Sequence, residues 1–216
     1  MIIAIDGPAG SGKSEVGARV AQALGLAFVD SGLMYRAVGR RALDAGVPLT
    51  NPEALTRLAG ATTVRIEGTS VRVNGRDYTE RVYDAEVSEA ASQVAQVPSV
   101  RLAVVGQLRT MGSRGVVMAG RDIGSDVFPG ADLKFYLTAS LEERARRRAA
   151  QLAGRGQPAD PALLRVEVEE RDRRDAGRAV APMRPADDAV VLETDGLDIP
   201  EVVAEVLRRV KRRHER

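Results

Sequence analysis

A glycine-rich loop near the start of the chain carries the residues best suited to chemistry. The pattern G-x-x-x-x-G-K-[ST] is filled at every fixed position, by Gly7, Gly12, Lys13 and Ser14. In this pattern backbone N–H groups wrap a phosphate, the lysine reaches the β- and γ-phosphates, and the hydroxyl binds Mg²⁺. The alternative, an ordinary strand-to-helix turn, rarely needs Gly-Lys-Ser where the helix begins. We predict a nucleotide-phosphate site made of Gly7, Pro8, Ala9, Gly10, Ser11, Gly12, Lys13, Ser14 and Glu15.

The residues around this loop predict the elements that position it. Residues 1–5 form a short apolar run typical of a buried strand, and apolar residues recur at helical spacing from Lys13 onward. The helix N-terminus would then face the phosphates. Helical stretches separate four further apolar runs, at residues 27–29, 116–119, 133–137 and 189–192. This alternation predicts an α/β fold of the P-loop NTPase type, a five-stranded parallel sheet flanked by helices.

Two segments interrupt the alternation. Residues 62–80, TTVRIEGTSVRVNGRDYTE, alternate apolar and polar positions, with turns expected at Glu67-Gly68 and Asn74-Gly75. They predict a small antiparallel β insert. Residues 154–161, GRGQPADP, lie between two arginine-rich helices, and their composition suits a mobile lid.

The composition excludes several classes of function. The chain has no cysteine, which excludes disulfides and thiolate metal sites and favours a reducing compartment. Its single histidine, His214, lies near the C-terminal end, so the chain offers almost no histidine for a catalytic triad or a metal site. No apolar run approaches the length of a membrane span and no signal peptide is indicated, so we expect a cytoplasmic protein.

The basic charge is carried almost entirely by arginine. Lysine and arginine total 32, of which only Lys13, Lys134 and Lys211 are lysines, and the net charge is +2. A nucleic-acid contact by the basic segment 207–216 is conceivable, but we favour a solvated final helix, since the net charge is near zero and aromatic residues are few.

One arginine occupies an unusual position. Arg101 shares a predicted helix face with three apolar residues, Val104, Leu108 and Met111. A charge on an apolar stripe needs a partner, because burying it alone is prohibitively costly. The two interpretations are contact with a ligand and extension of the side chain to solvent from the first turn of the helix.

Other polar residues are predicted to gather at one edge of the sheet. The segments DSGLMYR (30–36) and AGRDIG (119–124) each follow a predicted strand, and ligands of parallel sheets bind beyond the carboxyl ends of the strands. This places Ser31, Tyr35, Arg36, Arg121 and Asp122 beside the P-loop. An Arg-Asp pair at a strand end could also simply neutralise itself.

Two further arginine groups lie near the predicted lid. Arg171, Asp175 and Arg178 have the spacing of one helical face, which fits either a structural ion-pair network or an array for an anionic, hydroxyl-bearing ligand. Arg144, Arg148 and Arg155 lie across the approach to the lid, and Arg144 and Arg148, which have no obvious acidic partner on their helix, repel each other if left alone.

Five segments, in order along the chain, resemble the bacterial cytidylate kinase family: GPAGSGKS, DSGLMYR, ASQVAQVPSVR, AGRDIGSDVFP and ERDRRDAGRAVAP. The similarity spans nearly the whole chain; the P-loop is generic, but the combination is highly specific. The resemblance implies transfer of the γ-phosphoryl group of ATP, with Mg²⁺, to CMP or dCMP in pyrimidine nucleotide metabolism. It also implies one domain with a core (1–30, 115–140, 176–216), an NMP-binding region that holds the insert (31–114) and a helical lid (141–175).

Residue roles follow from the same resemblance, motif by motif. The acceptor phosphate would be held by Ser31, Arg36 and Arg121, with Tyr35 in the same site. The cytosine edge would be read by Ser92, Arg101 and Asp122, and the ribose reached by Arg171 and Asp175, with Arg178 beside the phosphates. The ATP phosphates would be bound by Arg144, Arg148 and Arg155. Charge on the moving phosphoryl group would be stabilised by Lys13, Arg121, Arg148 and Arg178, and Mg²⁺ would bind Ser14.

One triplet departs from the family pattern. Val82-Tyr83-Asp84 stands where the family often has an Ile-Arg-Thr-like triplet. The resemblance therefore carries over no acceptor contact from that arginine. We expect a monomer with ATP and CMP or dCMP as partners, and with neither nucleic acid nor membrane.

The chemistry of the reaction fits this hypothesis, and the sequence lacks the motifs of a competing class of protein. The acceptor is a phosphate whose second pKa is about 6, so it is largely ionised at neutral pH and needs no general base. A GTPase switch would need the motifs N-K-x-D and D-x-x-G, and neither occurs in the sequence. Another nucleotide or small-molecule kinase is the runner-up.

Overall fold

The computed structural model describes residues 1–214. Over this range the chain forms eight strands: β1 (Ile2–Asp6), β2 (Ala27–Asp30), β3 (Val64–Glu67), β4 (Ser70–Val73), β5 (Arg76–Asp77), β6 (Val116–Gly120), β7 (Leu133–Thr138) and β8 (Val190–Glu193). The helices are α1 (Lys13–Leu24), α2 (Ser31–Asp44), α3 (Pro52–Gly60), α4 (Ala85–Val94), α5 (Pro98–Met111), α6 (Leu141–Ala153), α7 (Pro161–Ala176) and α8 (Ile199–His214). A short 3₁₀ helix spans Arg81–Tyr83, and a π-helical turn spans Ile123–Val127.

Five of the strands form the predicted parallel sheet, in the order β2-β6-β1-β7-β8. The first strand lies at its centre, where Ile3 pairs with Val117 on one side and Leu133 on the other. Ile3 and Ile5 are fully buried, as expected of a strand covered on both faces. The glycine-rich loop therefore leaves the sheet from its middle strand.

Helices cover both faces of this sheet. On one face, α1 and α8 pack through Val16, Val20, Val202 and Val206, so the basic final helix is anchored by a buried valine stripe. On the other face, α2 and α5 pack against the sheet and the insert. None of the helices within residues 1–214 is both long and apolar enough to cross a bilayer.

The insert is a three-stranded antiparallel sheet in the order β3-β4-β5. Its second turn is at Asn74 and Gly75, as predicted, and both residues have positive φ, of 50° and 79°. Its first turn lies one residue later than the sequence predicts. Glu67 pairs with Ser70 in the ladder, so Gly68 and Thr69 form the turn, and Gly68 supplies the positive φ of 60°.

The region predicted to form the lid contains α6, residues 154–160 and α7. Asp160 caps α7 by accepting the N–H of Ala162 at 2.8 Å. The prediction that Arg178 belongs to the same helical face as Arg171 and Asp175 is wrong. The helix ends at Ala176, and Gly177 follows as its cap, so Arg178 lies on the segment beyond it.

Candidate active site

The P-loop wraps its own lysine. A Cβ on Gly7 would lie 2.1 Å from the carbonyl oxygen of Leu137, so only glycine fits where β1 leaves the sheet. Lys13 is buried, and its Nζ donates to the carbonyl of Pro8 at 2.8 Å. Burial, reinforced by the nearby charge of Arg121, holds the pKa of Lys13 well below its usual value. A cation held in this way is stabilised by any anion that enters the loop.

Ser14 and Glu15, the two residues after Lys13, lie in different environments. The hydroxyl of Ser14 donates to Asp30 Oδ2 at 2.6 Å, while Asp30 Oδ1 accepts the N–H of Gly32 at 2.8 Å. Glu15, in contrast, is exposed and forms an ion pair with Arg19 at 2.8 Å. The structure therefore places Ser14 at the site and directs Glu15 to the surface of α1.

Ser14 and Asp30 together offer the hydroxyl and carboxylate oxygens that Mg²⁺ prefers. Among the residues that the structure describes, no three acidic or histidine side chains form a group that could hold a metal ion. These residues fit a Mg²⁺ ion that arrives with nucleotide phosphates and takes most of its ligands from phosphate and water.

A cleft opens beyond the carboxyl ends of β2 and β6. Its walls include most of the predicted acceptor residues: Ser31, Tyr35, Ser92, Arg121, Asp122, Arg171, Asp175 and Arg178. They come from α2, α4, the end of β6, α7 and the segment after α7. Residues more than 140 positions apart thus line one cavity, as the strand-end rule predicts.

Ion pairs bind the walls of the cleft together. Arg121 Nε donates to Asp175 at 2.9 Å, and Arg178 is also bonded to Asp175. Burial alone would raise the pKa of Asp175, but the guanidinium groups of Arg121, Arg178 and Arg171 hold it below its usual value. The pair Arg121–Asp122 does not neutralise itself, because Asp122 is bonded to Arg101.

Arg101 finds its partner inside the protein. Its side chain is 3% exposed, it is bonded to Asp122, and it lies over the ring of Tyr35 at 5.5 Å. It therefore does not extend to solvent. The residue is placed behind the two cleft-lining side chains that it contacts rather than on the cleft wall itself.

Several buried polar atoms of the site have no partner. Within residues 1–214, six buried side-chain nitrogen or oxygen atoms make no hydrogen bond: Ser11 Oγ, Ser92 Oγ, Arg101 Nε, Arg101 Nη1, Arg171 Nε and Arg178 Nε. Native proteins leave few such atoms unpaired. All six belong to residues predicted to bind nucleotide, and a bound ligand is the natural partner of the four atoms that do not belong to Arg101.

Cations concentrate where the P-loop, α2 and α7 meet. Arg36 donates to the carbonyl of Val82 at 3.0 Å and to Ser88 Oγ at 3.1 Å, and Arg171 donates to the same Ser88 Oγ at 3.3 Å. Burial and the charge of Arg148 lower the pKa of Arg36 to about 10. Burial and Arg121 lower that of Arg171 to about 9. Such mutual repulsion is relieved by a polyanion.

The three arginines of the predicted lid differ in their environments. Arg144 is buried and bonded to Asp172 and to the carbonyls of Ala139 and Ala9, at 3.0 and 3.1 Å. Its acid comes from α7, which the spacing within α6 could not reveal. The pKa of Arg148 is lowered by burial and by Arg155. Arg155 lies over the ring of Tyr83, 3.9 Å from its centroid.

Sequence reasoning missed four polar residues that organise the site: Asp6, Asp30, Ser88 and Asp172. Asp30 directly precedes the DSG serine and caps α2, a signal that could have been used. Asp172 accepts the N–H of Ala9 at 3.0 Å. It and Ser88 gave no local signal, because their partners lie on distant elements.

Asp6 ties the P-loop strand to the turn that follows Asp122. Its two carboxylate oxygens accept the N–H groups of Ile123 and Gly124, both at 2.8 Å. Burial, with a smaller effect of the charge of Asp122, raises the pKa of Asp6 to about 6. One carboxylate therefore fixes the position of the P-loop strand relative to the turn that follows Asp122.

A parallel sheet, a phosphate loop on its middle strand and an arginine-rich cleft beyond the strand ends together define a P-loop kinase. The family model described as cytidylate kinase matches residues 3–212. The chain belongs to the cytidylate kinase family, which confirms the resemblance seen in the sequence.

Similar proteins support this membership over almost the full length. A cytidylate kinase of Symbiobacterium thermophilum is 44% identical over 218 residues, covering 98% of this chain and 96% of the relative. One of Pelotomaculum thermopropionicum is 45% identical over 214 residues, covering 96% and 95%. A gluconokinase structure from Sinorhizobium meliloti has a TM-score of 0.50 at 19% identity, covering 97% and 91%. That last likeness concerns the fold alone.

Proposed function

We propose that the protein transfers the γ-phosphoryl group of ATP to CMP or dCMP, giving ADP and CDP or dCDP. The observation that carries this proposal is the set of buried polar atoms without partners. Ser11 belongs to the P-loop, Ser92, Arg171 and Arg178 line the cleft, and Arg101 lies directly behind the cleft wall. Membership of the cytidylate kinase family supplies the identity of the acceptor.

On the donor side, the N–H groups of the P-loop and Lys13 bind the β- and γ-phosphates. When bound, Mg²⁺ neutralises charge on the phosphate oxygens, and Ser14, oriented by Asp30, is the residue that would hold it. Arg148 lies within the electrostatic reach of Arg36 and Arg171. It can therefore share the charge that moves between the two nucleotides.

On the acceptor side, Ser31, Arg36 and Arg121 bind the phosphate of the monophosphate. Ser92, Asp122 and, through Asp122, Arg101 select cytosine, whose amine donates and whose carbonyl accepts. The ribose hydroxyls are left to Arg171 and Asp175, with Arg178 closing the cleft beside the phosphate.

The reaction then depends on position and charge rather than on a covalent intermediate. An ionised acceptor oxygen attacks the γ-phosphorus in line as the bond to the β-phosphate breaks. No protein base is required, in agreement with the scarcity of histidine. The lid region, α6 to α7, excludes water, which would otherwise compete as the acceptor.

A coupled assay of ADP release, with CMP, dCMP, UMP, AMP and shikimate as acceptors, tests the proposal. We expect the highest kcat/KM with CMP or dCMP and formation of the matching diphosphate. A preference for AMP or shikimate would assign the chain to another kinase activity. ADP release that does not depend on an acceptor would indicate a simple ATPase.

A further inference from the structure

An aromatic contact joins the lid region to the NMP-binding region. Arg155 lies in the connection between α6 and α7, and Tyr83 ends the 3₁₀ helix Arg81–Tyr83. The guanidinium carbon of Arg155 lies 3.9 Å from the centroid of the Tyr83 ring. This is well within the distance of about 6 Å at which a cation is attracted to an aromatic face.

The same short helix also holds an arginine of the acceptor site. The carbonyl of Val82 accepts a hydrogen bond from Arg36 at 3.0 Å. Val82 directly precedes Tyr83, the residue whose ring contacts Arg155. The charges are close, since Arg155 contributes to lowering the pKa of both Arg36 and Arg148. Residues 82 and 83 therefore place one guanidinium from α2 and one from the lid side by side.

The contact of Arg155 with an aromatic ring, instead of a carboxylate, has a chemical consequence for its N–H donors. A carboxylate would take up the N–H donors of a guanidinium and cancel its charge. A ring contacts only the face of the group, so the N–H donors at its edge stay available for phosphate oxygens. Of the residues that the structure describes, none forms an ion pair with Arg155.

We propose that Tyr83 is a positioning residue that holds Arg155 over the acceptor phosphate, beside Arg36 and Arg148. The inference rests on the proposed function, because it needs a phosphorylated acceptor in the cleft. Arg155 thus serves the acceptor side of the reaction, whereas the sequence had assigned it to ATP. The stacking also closes the lid over the monophosphate.

The test compares Tyr83→Leu, Tyr83→Phe, Arg155→Met and the double variant Tyr83→Leu/Arg155→Met with the wild-type chain. We expect Tyr83→Leu and Arg155→Met each to lower kcat/KM for CMP by about three- to tenfold, the scale of one cation–π contact. Each should also raise the ATP hydrolysed per CDP formed. The double variant should be no worse than the worse single variant, and Tyr83→Phe should restore most of the activity because it keeps the ring.

Arg81→Met is the matched control, since Arg81 lies over Tyr78 at 5.0 Å, on the insert side of the same segment. It should leave kcat/KM for CMP unchanged. The inference is overturned if Tyr83→Leu behaves as wild type, if Tyr83→Phe is as damaging as Tyr83→Leu, or if the two single losses multiply in the double variant.

A second readout does not depend on catalysis. Trypsin cleavage after Arg155, followed by mass spectrometry, should be faster in Tyr83→Leu than in the wild type and in Tyr83→Phe. Equal rates in all three would overturn the contact itself. The wild-type chain is assayed for CDP formation before any variant is compared. If it forms no CDP, the proposed function is rejected, and not the contact between Tyr83 and Arg155.

Discussion

Asp122 and Arg101 form a buried ion pair that connects the end of β6 to the first turn of α5. Their side chains are 6% and 3% exposed. The pair explains how an arginine can lie on an apolar helix face, and it sets Asp122 against the cleft with its charge balanced from behind. Arg121, the neighbour along the chain, is balanced separately by Asp175.

Asp122→Ala should impair base selection more than catalysis in general. The cytosine amine loses its acceptor, so kcat/KM for CMP should fall. The loss of transition-state stabilisation should be about 2–4 kcal/mol, on the scale for an unpaired polar group near a charge. Uracil has no such amine, so the loss with UMP should be much smaller. Assays of both substrates on both enzymes decide this, and equal proportional losses would make Asp122 a purely structural residue.

The same substitution carries a stability control. It leaves the charge of Arg101 buried without a partner, so the free energy of unfolding in urea should fall by about 3–5 kcal/mol. Adding Arg101→Met should recover much of that loss, but not the preference for CMP. Recovery of both would show that base selection was lost only through misfolding.

Lys13→Met should separate activity from stability. Phosphoryl transfer should fall by at least about 10²- to 10³-fold, because one preorganised charge at the transferred phosphoryl group is lost. The CMP dissociation constant should stay close to that of the wild type. Because the lysine is a buried cation beside Arg121, its replacement by an apolar side chain of similar size should not lower the Tm. Calorimetry and equilibrium binding measure both effects, and a weakened CMP complex would contradict a donor-side role.

Asp6 should make stability depend on pH between about 4 and 6. Burial raises its pKa from the ordinary 3.8 to about 6 in the folded protein, so the folded state binds a proton that the unfolded state has lost. The contribution of Asp6 is therefore complete below pH 4 and is lost as the pH rises through 6. The change amounts to about 3 kcal/mol.

Urea unfolding of the wild type and of Asp6→Asn, at a series of pH values from 4 to 7, isolates this effect. Over that range the wild type should lose about 3 kcal/mol relative to the variant, since other titrating groups cancel in the difference. Parallel curves would show that Asp6 titrates normally.

Asp172→Ala should weaken ATP binding selectively. Asp172 accepts the N–H of Ala9 and Arg144 donates to its carbonyl, so α6 and α7 hold the P-loop from outside. Without the hydrogen bond from the N–H of Ala9 to Asp172, the KM for ATP should rise by about tenfold, the scale of one charge-assisted hydrogen bond. The KM for CMP should stay nearly unchanged. Glu169→Ala, at an exposed position of the same helix, is the control. An equal rise in both KM values would point to a general loosening of α7.

The elements that sequence predicts best are those specified by neighbours along the chain. The P-loop is contiguous, and the five apolar runs alternate with helical stretches, so both the loop and the sheet follow from local patterns. Arg101 was recognisable because it is the one charge on an otherwise apolar face. Its partner was not, since Asp122 reaches it only when α5 packs against the end of β6.

The errors have equally physical causes. Arg178 was placed on the helix of Asp175 because i, i+4 and i+7 spacing outweighed Gly177, although glycine is a common helix stop. Pairing of Glu67 with Ser70 moved the first turn of the insert by one residue. Long-range partners such as Asp172 for Arg144 depend on how two helices meet, which neither helix encodes alone. The residue roles and the boundaries of the core, NMP-binding region and lid stay predictions.

The central place of β1 has a consequence for how the protein is made. Ile2 pairs with Val116 and Ile3 with Leu133, so β1 is translated more than 110 residues before its neighbours in the sheet. At about 5–20 residues per second, this interval lasts roughly 6–25 seconds on the ribosome. During that time both edges of an apolar strand stay open, so the sheet that positions the P-loop can form only after β6 and β7 have been made.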